Sequence, residues 1–423
     1  MGSRDGHRPQ GDEGNSSAMS DHHVVVIGSG FGGSVAALRL VEKGYRVTVL
    51  EAGRHFADED FAKTSWQARD FLFAPAIGCL GIQRIHVLPD VIVLAGAGVG
   101  GGSLVYANTL YQPGDDFFRE GPWAGITDWK QELDPFYDQA RRMLGVVDNT
   151  RVTPSDTAMR EVAQRMGVGD TFTLTPVGVH FGSGPGVSSR DPFFGGVGPD
   201  RLGCTHCGEC MTGCRHNAKN TVVKNYLALA QRGGAVVRDR STVTRIEPTA
   251  DGWSVTVRRT GSPLPRTERI ACEQIVVAAG TYGTQRLLHR MKDDGVLYAI
   301  SDRLGYLSRT NSEALVGAVA HRAPTPDFTD GVAITSSFYP DPRTHIQPVR
   351  YGRGSNSMGL LATLLTDFSG GVSPLRAWLT TLARSPLAAL RMSVVRGWSQ
   401  RTVIALVMQS ADNSLTVSGG RSK

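Results

Sequence analysis

The sequence lacks the long apolar runs that a membrane-spanning helix requires. None of the 423 residues lies in an uncharged apolar stretch approaching about 18 residues, so we expect no transmembrane helix. Residues 1–20 are polar and rich in Gly and Ser, without the apolar centre of a secretion signal. We expect them to form a disordered tail ahead of the folded chain.

Evenly spaced cysteines and basic-aromatic stripes are absent too. The chain has six cysteines, and four of them crowd into residues 204–214, which is not a disulfide framework. Without a signal peptide, this usage favours a reducing cytoplasm. No stripe of basic and aromatic residues points to a nucleic-acid partner. The net charge of +6 is mild; it suits either an ordinary solvated surface or peripheral contact with an anionic membrane.

The most informative feature that is present is a glycine motif near the start. An apolar strand, a glycine turn, a helical pattern and a second strand follow one another over residues 24–50. Gly28 permits the tight turn, Gly30 lets a pyrophosphate approach the backbone, and Gly33 lets the helix pack on the sheet. Glu51 lies where a carboxylate accepts hydrogen bonds from ribose hydroxyls. The order predicts a dinucleotide site rather than a merely structural turn.

A second glycine loop follows a strand candidate at 91–94. Residues 96–104 contain three consecutive glycines, which indicate backbone close to something flat or charged. In a chain that already holds a dinucleotide, we expect a pyrophosphate or a flavin ring there. The alternative is a mobile surface loop.

The remaining pattern predicts an α/β fold. We expect helices over 126–144, 156–166 and 222–231, a long loop over 175–202, extended runs at 235–237, 243–246 and 253–257, and a buried parallel strand at 274–280. Asp251-Gly252 predicts a hairpin turn between the last two extended runs. The layout is a Rossmann-like parallel sheet with a small antiparallel insert, and its ligand lies at the carboxyl ends of the parallel strands.

These motifs resemble the glucose-methanol-choline (GMC) flavin oxidoreductases, in their bacterial cholesterol-oxidase-like branch. The resemblance rests on residues 28–33, Glu51, 98–108, 276–281, 304–305 and 309–313. It implies an FAD-binding domain over 22–125 and 201–314, and a second, α+β substrate domain over 126–200 and 315–423 whose C-terminal part is missing. It also implies FAD as cofactor, bound by Gly28, Gly30, Phe31, Gly32, Gly33, Glu51, Gly98, Gly101, Gly102, Ser103, Asn108, Val243, Ala279 and Gly280.

The activity implied by the resemblance is oxidation of an alcohol, with a sterol 3β-hydroxyl as substrate class. Hydride passes to the flavin and electrons pass on to oxygen. The alternatives are a dehydrogenase that uses another acceptor through the cysteine-rich loop, and a truncated, inactive flavin-binding remnant.

The catalytic residues stay unassigned. The family places a His and an Asn in a later segment, but the last histidine here is His345 and no following motif matches. We therefore expect a C-terminally truncated member. His180, His206 and His216 lie in polar loops, where a histidine is more often solvated than catalytic.

The cysteine cluster has a spacing of its own. Cys204, Cys207, Cys210 and Cys214 form C-x2-C-x2-C-x3-C, the run of bacterial ferredoxins without its final proline. Four thiolates at this spacing can hold an iron–sulfur cluster or a zinc ion. No second run completes a two-cluster arrangement, and a related loop recurs in GMC-like enzymes. Free or redox-active thiols beside the flavin are therefore the preferred interpretation.

Overall fold

The structure is a computed structural model of the chain. It describes residues 21–119, 121–264, 266–367, 371, 373–410 and 413–420. The tail predicted for residues 1–20 lies outside the described residues. None of the helices in the described part of the chain is long and apolar enough to cross a membrane.

Helices and strands alternate along the first 300 residues, and strands dominate the rest. The helices are α1 Phe31–Glu42, α2 Ala68–Phe71, α3 Asp115–Arg119, α4 Trp129–Met143, α5 Pro154–Arg165, α6 Tyr226–Arg232, α7 Gly280–Asp293, α8 Pro374–Arg384, α9 Pro386–Ser393 and α10 Trp398–Arg401. The strands are β1 His23–Ile27, β2 Arg46–Leu50, β3 Phe73–Ala74, β4 Cys79–Leu80, β5 Gln83–Val87, β6 Ile92–Gly96, β7 Val147–Asp148, β8 Thr173–Leu174, β9 Pro176–Val177, β10 Ser188–Ser189, β11 Arg201–Leu202, β12 Val236–Arg238, β13 Ser241–Thr249, β14 Gly252–Arg259, β15 Thr267–Cys272, β16 Gln274–Val277, β17 Ala314–Val319, β18 Ser336–Asp341, β19 Thr344–Val349 and β20 Thr402–Gln409.

A parallel sheet of order β12-β2-β1-β16 forms the first layer. Its central strand β1 is a run of β-branched residues, and Val24, Val25 and Val26 are fully buried. One face packs against α1 and α6, and the other against α7 and the insert. Burial on both faces explains why these strands read as continuous apolar runs. The Rossmann-like α/β fold is confirmed.

The antiparallel insert is confirmed, with one change of membership. β13, β14 and β15 form a three-stranded sheet, and the β13–β14 hairpin turns before Gly252 as predicted. The run at 235–237 was grouped with the insert in sequence, but β12 pairs in parallel with β2. Its position directly after α6 makes it the crossover strand of a βαβ unit. β15 begins with three polar residues, Thr267, Glu268 and Arg269, and was not predicted from the sequence.

A second sheet of order β17-β20-β19-β18-β8 builds the other half of the molecule. β20 is an inner strand that pairs antiparallel with both β17 and β19. The apolar residues 403–408 therefore pack inside a sheet, while residues 387–390 lie on α9. The strand predicted at 91–94 pairs as β6 with β5 in a hairpin. The predicted domain boundaries stay predictions.

Candidate functional site

The first glycine loop leaves β1 at the carboxyl end of the parallel sheet. Gly28 has a φ of +102°, and an added Cβ would lie 2.3 Å from the carbonyl oxygen of Ala278. At Gly33, an added Cβ would lie 1.9 Å from the carbonyl oxygen of Gly28. Both positions therefore need glycine for close backbone packing. This packing turns the N-terminus of α1 toward the edge where ligands bind in such sheets.

The second glycine loop packs directly on the first. An added Cβ at Gly101 would lie 2.7 Å from the Cα of Gly30. At Gly96 it would meet the carbonyl oxygen of Gly101 at 2.3 Å. Side-chain-free backbone from two distant parts of the sequence thus forms one surface. The alternative of a mobile surface loop does not fit this contact, because Gly101, Ser103 and Leu104 are buried.

Glu51 joins the two loops. Its Oε2 accepts hydrogen bonds from the Ser29 hydroxyl at 2.7 Å and the Ser29 amide at 3.2 Å. Its Oε1 accepts from the amides of Gly53 at 2.8 Å and Gly98 at 3.4 Å. The amide of Gly100 donates to the Ser29 hydroxyl at 3.0 Å. A carboxylate offers about four acceptor positions, and here protein donors use them all. Glu51 therefore organises the site, and its contact with a ribose stays a prediction.

One large cavity lies in front of this surface. Its volume is 2210 Å³, and it runs from the glycine loops to the second sheet. Most of the predicted cofactor residues line it: Gly28, Gly30, Phe31, Gly32, Glu51, Gly101, Gly102, Val243, Ala279 and Gly280. The structure thus brings together positions that are more than 200 residues apart in sequence.

The other predicted residues do not line the cavity, and they support it from behind. Gly33 lets α1 approach β1, and Gly98 at φ +112° turns the second loop. The Ser103 hydroxyl donates to the carbonyl of Gly100 at 2.7 Å and accepts from the amide of Val222 at 3.1 Å. Asn108 is buried at φ +72°, and both of its side-chain amide atoms lack a hydrogen-bond partner.

Sequence reasoning missed a basic and aromatic part of the cavity wall. Arg84, His86, Tyr282 and Arg286 line it. The His86 and Tyr282 rings stack with centroids 3.9 Å apart. Burial, followed by the charges of Arg84 and Arg286, lowers the pKa of His86. These residues come from the β5–β6 hairpin and from α7, so no motif joins them. The basic character of α7 was the one available signal.

The far end of the cavity is apolar. Leu315, Val316 and Val319 of β17 and Ile404, Leu406 and Met408 of β20 line it. One carboxylate, that of Glu313, lies among them and accepts a hydrogen bond from the side-chain amide of Asn311. Partial burial raises the pKa of Glu313. It is also close enough to add to the raised pKa of Tyr351, whose main cause is burial.

The predicted candidate histidines lie elsewhere. His180 contacts the Ser189 hydroxyl at 3.0 Å, and His206 stacks on Phe181. His216 lies 3.7 Å from Glu209. None of the three lines the cavity, whose wall in the described chain contains one histidine, His86.

The cysteine segment lies beneath the second glycine loop. Lys219 is buried, and its ammonium group donates to the carbonyls of Leu104 at 2.9 Å, Tyr106 at 2.7 Å and Cys210 at 2.9 Å. Burial lowers the pKa of Lys219 to about 8. These bonds fasten the segment to the loop that faces the cavity, and Met211 reaches the cavity wall itself.

The thiols of the segment are free. Burial raises the pKa of Cys204 and Cys210, and that of Cys207 to about 12. Within the described chain, the one group of three or more metal-ligating atoms within 4.8 Å of one another is Cys207, Glu209 and His216. The structure therefore does not gather the four sulfur atoms as a cluster site requires, and the four-cysteine metal site gains no support.

Two family models match the chain. The model for GMC oxidoreductase matches residues 196–291, and that for an NAD(P)-binding Rossmann-like domain matches residues 26–57. The first covers the cysteine segment, the insert and α7. The second covers the first glycine loop through Glu51.

Full-length comparison extends the match. The chain is 58% identical over 414 residues to a cholesterol oxidase of Mycobacterium tuberculosis (strain CDC 1551 / Oshkosh), covering 95% of this chain and 72% of that protein. It is 42% identical over 407 residues to a cholesterol oxidase of Acinetobacter baumannii, covering 94% and 73%.

Solved structures agree on the fold. Pyridoxine 4-oxidase from Mesorbium loti matches with a TM-score of 0.51 at 14% identity, over 94% of this chain and 74% of that one. Formate oxidase matches with a TM-score of 0.51 at 13% identity, over 92% and 73%. The family models and the long, high-identity alignments confirm the predicted resemblance and FAD as the cofactor. The chain belongs to the GMC oxidoreductase family, in its cholesterol-oxidase-like branch.

Proposed function

We propose that this chain oxidises the 3β-hydroxyl group of a sterol, with FAD as hydride acceptor and oxygen as final electron acceptor. One observation carries the proposal: a single cavity joins the glycine backbone surface to an apolar chamber built by β17 and β20. A cofactor bound at the glycine surface would face an apolar substrate bound in the chamber. The cholesterol oxidases with which the chain aligns support the same substrate class.

The glycine surface fits a dinucleotide. An added Cβ at Gly30 would have no protein atom nearer than 3.8 Å, and at Gly280 none within 4 Å. Both backbones thus face open cavity, where a pyrophosphate takes the place of side chains. The N-terminus of α1 presents free amides and a partial positive charge there. Val243 lines the same cavity wall, and we assign it the contact with the adenine ring.

The chain itself has to accept a proton. Bound FAD supplies an acceptor for the hydride that leaves the alcohol carbon. Alcohol oxidation also needs a base for the hydroxyl proton. Glu51 is saturated with protein donors, so in the described chain Glu313 is the cavity carboxylate with acceptor positions to spare. We assign it the role of base, with Asn311 holding its side chain.

The apolar chamber suits the rest of a sterol. Burying a flat hydrocarbon against aliphatic side chains gains about 25 cal/mol per Å² of apolar surface. Leu315 of β17 and Ile404 and Leu406 of β20 lie on one face of the sheet, where they form an apolar wall. A wall of this kind recognises shape and apolarity, while the carboxylate of Glu313 marks the position of the hydroxyl.

The experiment is flavin bleaching without oxygen. The purified chain is loaded with FAD and mixed with cholesterol or with its 3α-epimer. We expect cholesterol to bleach the bound flavin and the epimer to leave it oxidised. Admitting oxygen then produces peroxide. Failure of every alcohol to bleach bound flavin contradicts the proposal, and dye reduction without peroxide favours a different electron acceptor.

We also propose that the chain contacts anionic membrane surfaces through α8 and α9. The exposed apolar side chains there are Leu375 (63% exposed), Leu379 (51%), Leu387 (69%) and Leu390 (64%). The charged residues of these two helices are Arg376, Arg384 and Arg391, with no acid. Trp378 of α8 and Met392 of α9 line the cavity. A sterol leaving the bilayer at this point therefore has a short path to the chamber.

Vesicle binding tests this surface. Replacing Leu379 and Leu387 by Glu is expected to weaken binding to phosphatidylserine-containing vesicles by about tenfold or more, because each buried leucine contributes about 1.5–3 kcal/mol. Val162→Glu, on the exposed face of α5, is the matched control and leaves binding unchanged. Equal binding by all three proteins refutes the proposal, as does self-association through α8 and α9 without lipid.

A reducing cytoplasm remains the proposed compartment. All six cysteines are free thiols, and four of them are buried. A protein of an oxidising compartment would be expected to pair its closely spaced cysteines.

A further inference from the structure

A compact group of metal-ligating side chains lies on the cysteine segment, outside the cavity. The Sγ of Cys207, a carboxylate oxygen of Glu209 and a ring nitrogen of His216 all lie within 4.8 Å of one another. The Nε2 of His216 and the Oε2 of Glu209 are 3.7 Å apart. All three side chains are half-buried. None of them lines the cavity assigned to FAD and sterol, so the proposed function makes no use of them.

Local backbone brings these three side chains together. Gly208, at φ +73°, reverses the chain after Cys207 and starts the short helical turn Glu209–Thr212. Gly213, at φ +94°, turns the chain again and returns His216 to Glu209. Both turns need left-handed backbone, which glycine adopts without strain. The juxtaposition is therefore built by the fold and does not depend on chance meetings of mobile side chains.

A space of ionic size lies between the three residues. A small void of about 10 Å³ is lined by Cys207, Glu209 and His216, and also by Cys204, Cys210 and Cys214. A void of this size holds about one water molecule or one ion. In tetrahedral zinc sites the metal–ligand distances are about 2.0–2.3 Å, which separates the ligand atoms by about 3.5 Å. The His216–Glu209 separation of 3.7 Å is close to that spacing, and the Sγ of Cys207 lies within 4.8 Å of both other ligand atoms.

We propose that Cys207, Glu209 and His216 bind one Zn²⁺ ion, with solvent as the fourth ligand. One sulfur, one nitrogen and one oxygen donor form a set that zinc accepts readily. A thiolate and a carboxylate balance the two positive charges of the metal. Two cations lie near the group. Arg215, next to His216 in sequence, donates hydrogen bonds to the carbonyls of Glu59 and Phe61, and Lys219, which also lines the void, donates to three backbone carbonyls.

The expected consequence of zinc binding is a tighter fold around the site. Cys207 forms a backbone bridge with Gly331, which lies between β17 and β18 of the second sheet, and Lys219 joins the same segment to the second glycine loop. A metal on Cys207 therefore ties together the segment, the sheet and the loop. Because zinc binds the folded chain, excess metal is expected to raise the melting temperature.

Metal titration of the full chain tests the proposal. The purified protein is stripped with a chelator and titrated with Zn²⁺ alone against a chromophoric competitor. We expect one tightly bound ion per chain. His216→Gln and Glu209→Gln are each expected to lower the affinity by about 100-fold or more, since even partners outside the ligand set cost about 10–100-fold. His206→Gln, in the same loop but outside the group, leaves the affinity unchanged.

Cobalt substitution gives a spectroscopic readout of which thiol binds the metal. Co²⁺ bound by the wild-type chain is expected to give a thiolate charge-transfer band. The band should persist in Cys204→Ser and Cys214→Ser and vanish in Cys207→Ser. The proposal is overturned if the chain binds no stoichiometric zinc, or if His216→Gln leaves the zinc affinity unchanged. It is also overturned if the purified protein contains iron with acid-labile sulfide. Equal loss on replacing Cys204 or Cys214 also overturns it, since that result describes a four-thiol site.

Discussion

Glu313→Gln is expected to slow flavin bleaching by sterol by about 10²–10⁴-fold, while FAD remains bound. Removal of a positioned general base has this effect on a proton transfer. Glutamine keeps the size of the side chain and its contact with Asn311, but it cannot accept a proton. The change therefore separates the chemistry from packing. The measurement is single-turnover bleaching of the FAD-loaded chain under anaerobic conditions.

The pH profile gives an independent test of the same residue. Partial burial raises the pKa of Glu313 above its ordinary value of 4.5. A base works only when it is deprotonated, so the bleaching rate should rise with pH through this raised pKa and then level off. In Glu313→Gln the acidic limb should disappear. Glu313→Asp is expected to restore part of the rate, because it restores a carboxylate at a slightly longer distance.

The control is Glu247→Gln on the insert. Glu247 pairs with Arg245 at 2.9 Å and lies outside the cavity wall. Its replacement should leave both the rate and the pH profile unchanged. A Glu313→Gln variant that bleaches at the wild-type rate would remove Glu313 from the mechanism.

Gly30→Val is expected to weaken FAD binding without destabilising the fold, and Gly33→Ala is expected to destabilise the fold itself. At Gly30 the added side chain enters open cavity, so the fold tolerates it and FAD loses its approach to the backbone. Loss of charge-assisted hydrogen bonds to a phosphate corresponds to roughly 10–100-fold in affinity. At Gly33 the added Cβ would lie 1.9 Å from the carbonyl oxygen of Gly28. Backbone must move there, at a cost of about 3 kcal/mol or more.

The two outcomes are read by flavin retention and by thermal unfolding of the FAD-free chain. Gly30→Val should unfold at the wild-type temperature and lose flavin on desalting. Gly33→Ala should unfold at a lower temperature before any flavin is added. Gly114→Ala, which meets no atom within 4 Å, is the control for both measurements. Wild-type retention of FAD by Gly30→Val would place the pyrophosphate elsewhere.

The sequence predicted the parts of the site whose chemistry is local. Gly28 and Gly33 could be assigned from spacing alone, because a strand, a tight turn and a helix follow within a few residues of each other. Gly101 and Gly102 were assigned as backbone that meets a ligand, and both line the cavity. Ser103 was expected near the cofactor. Its side chain does not line the cavity, and its hydroxyl donates a hydrogen bond to the carbonyl of Gly100 within the same loop.

Other parts depend on contacts that sequence spacing does not encode. Glu51 was predicted as a ribose ligand, and that contact stays a prediction; its second role, as a junction of two loops, depends on partners that include Gly98, 47 residues away. The sequence offered four cysteines as candidate metal ligands, whereas in the described chain the possible ligand atoms within 4.8 Å of one another belong to Cys207, Glu209 and His216, because two glycine turns redirect the chain between them. The spacing of the cysteines shows only which residues are close in sequence. The turns at Gly208 and Gly213 determine which side chains come into contact.

The sequence by itself determined the family, the parallel sheet and the use of a dinucleotide, since these depend on short-range order that any fold containing them must keep. Only the tertiary structure decided which residues from distant parts of the sequence line the same cavity. Glu313 became a candidate base because β17 and β20 pair across almost 90 residues and form one wall with the glycine loops. Packing of this kind arises from burial of apolar faces, and apolar contact is not directional. The sequence of one face therefore does not identify the face it packs against, which only the folded structure shows.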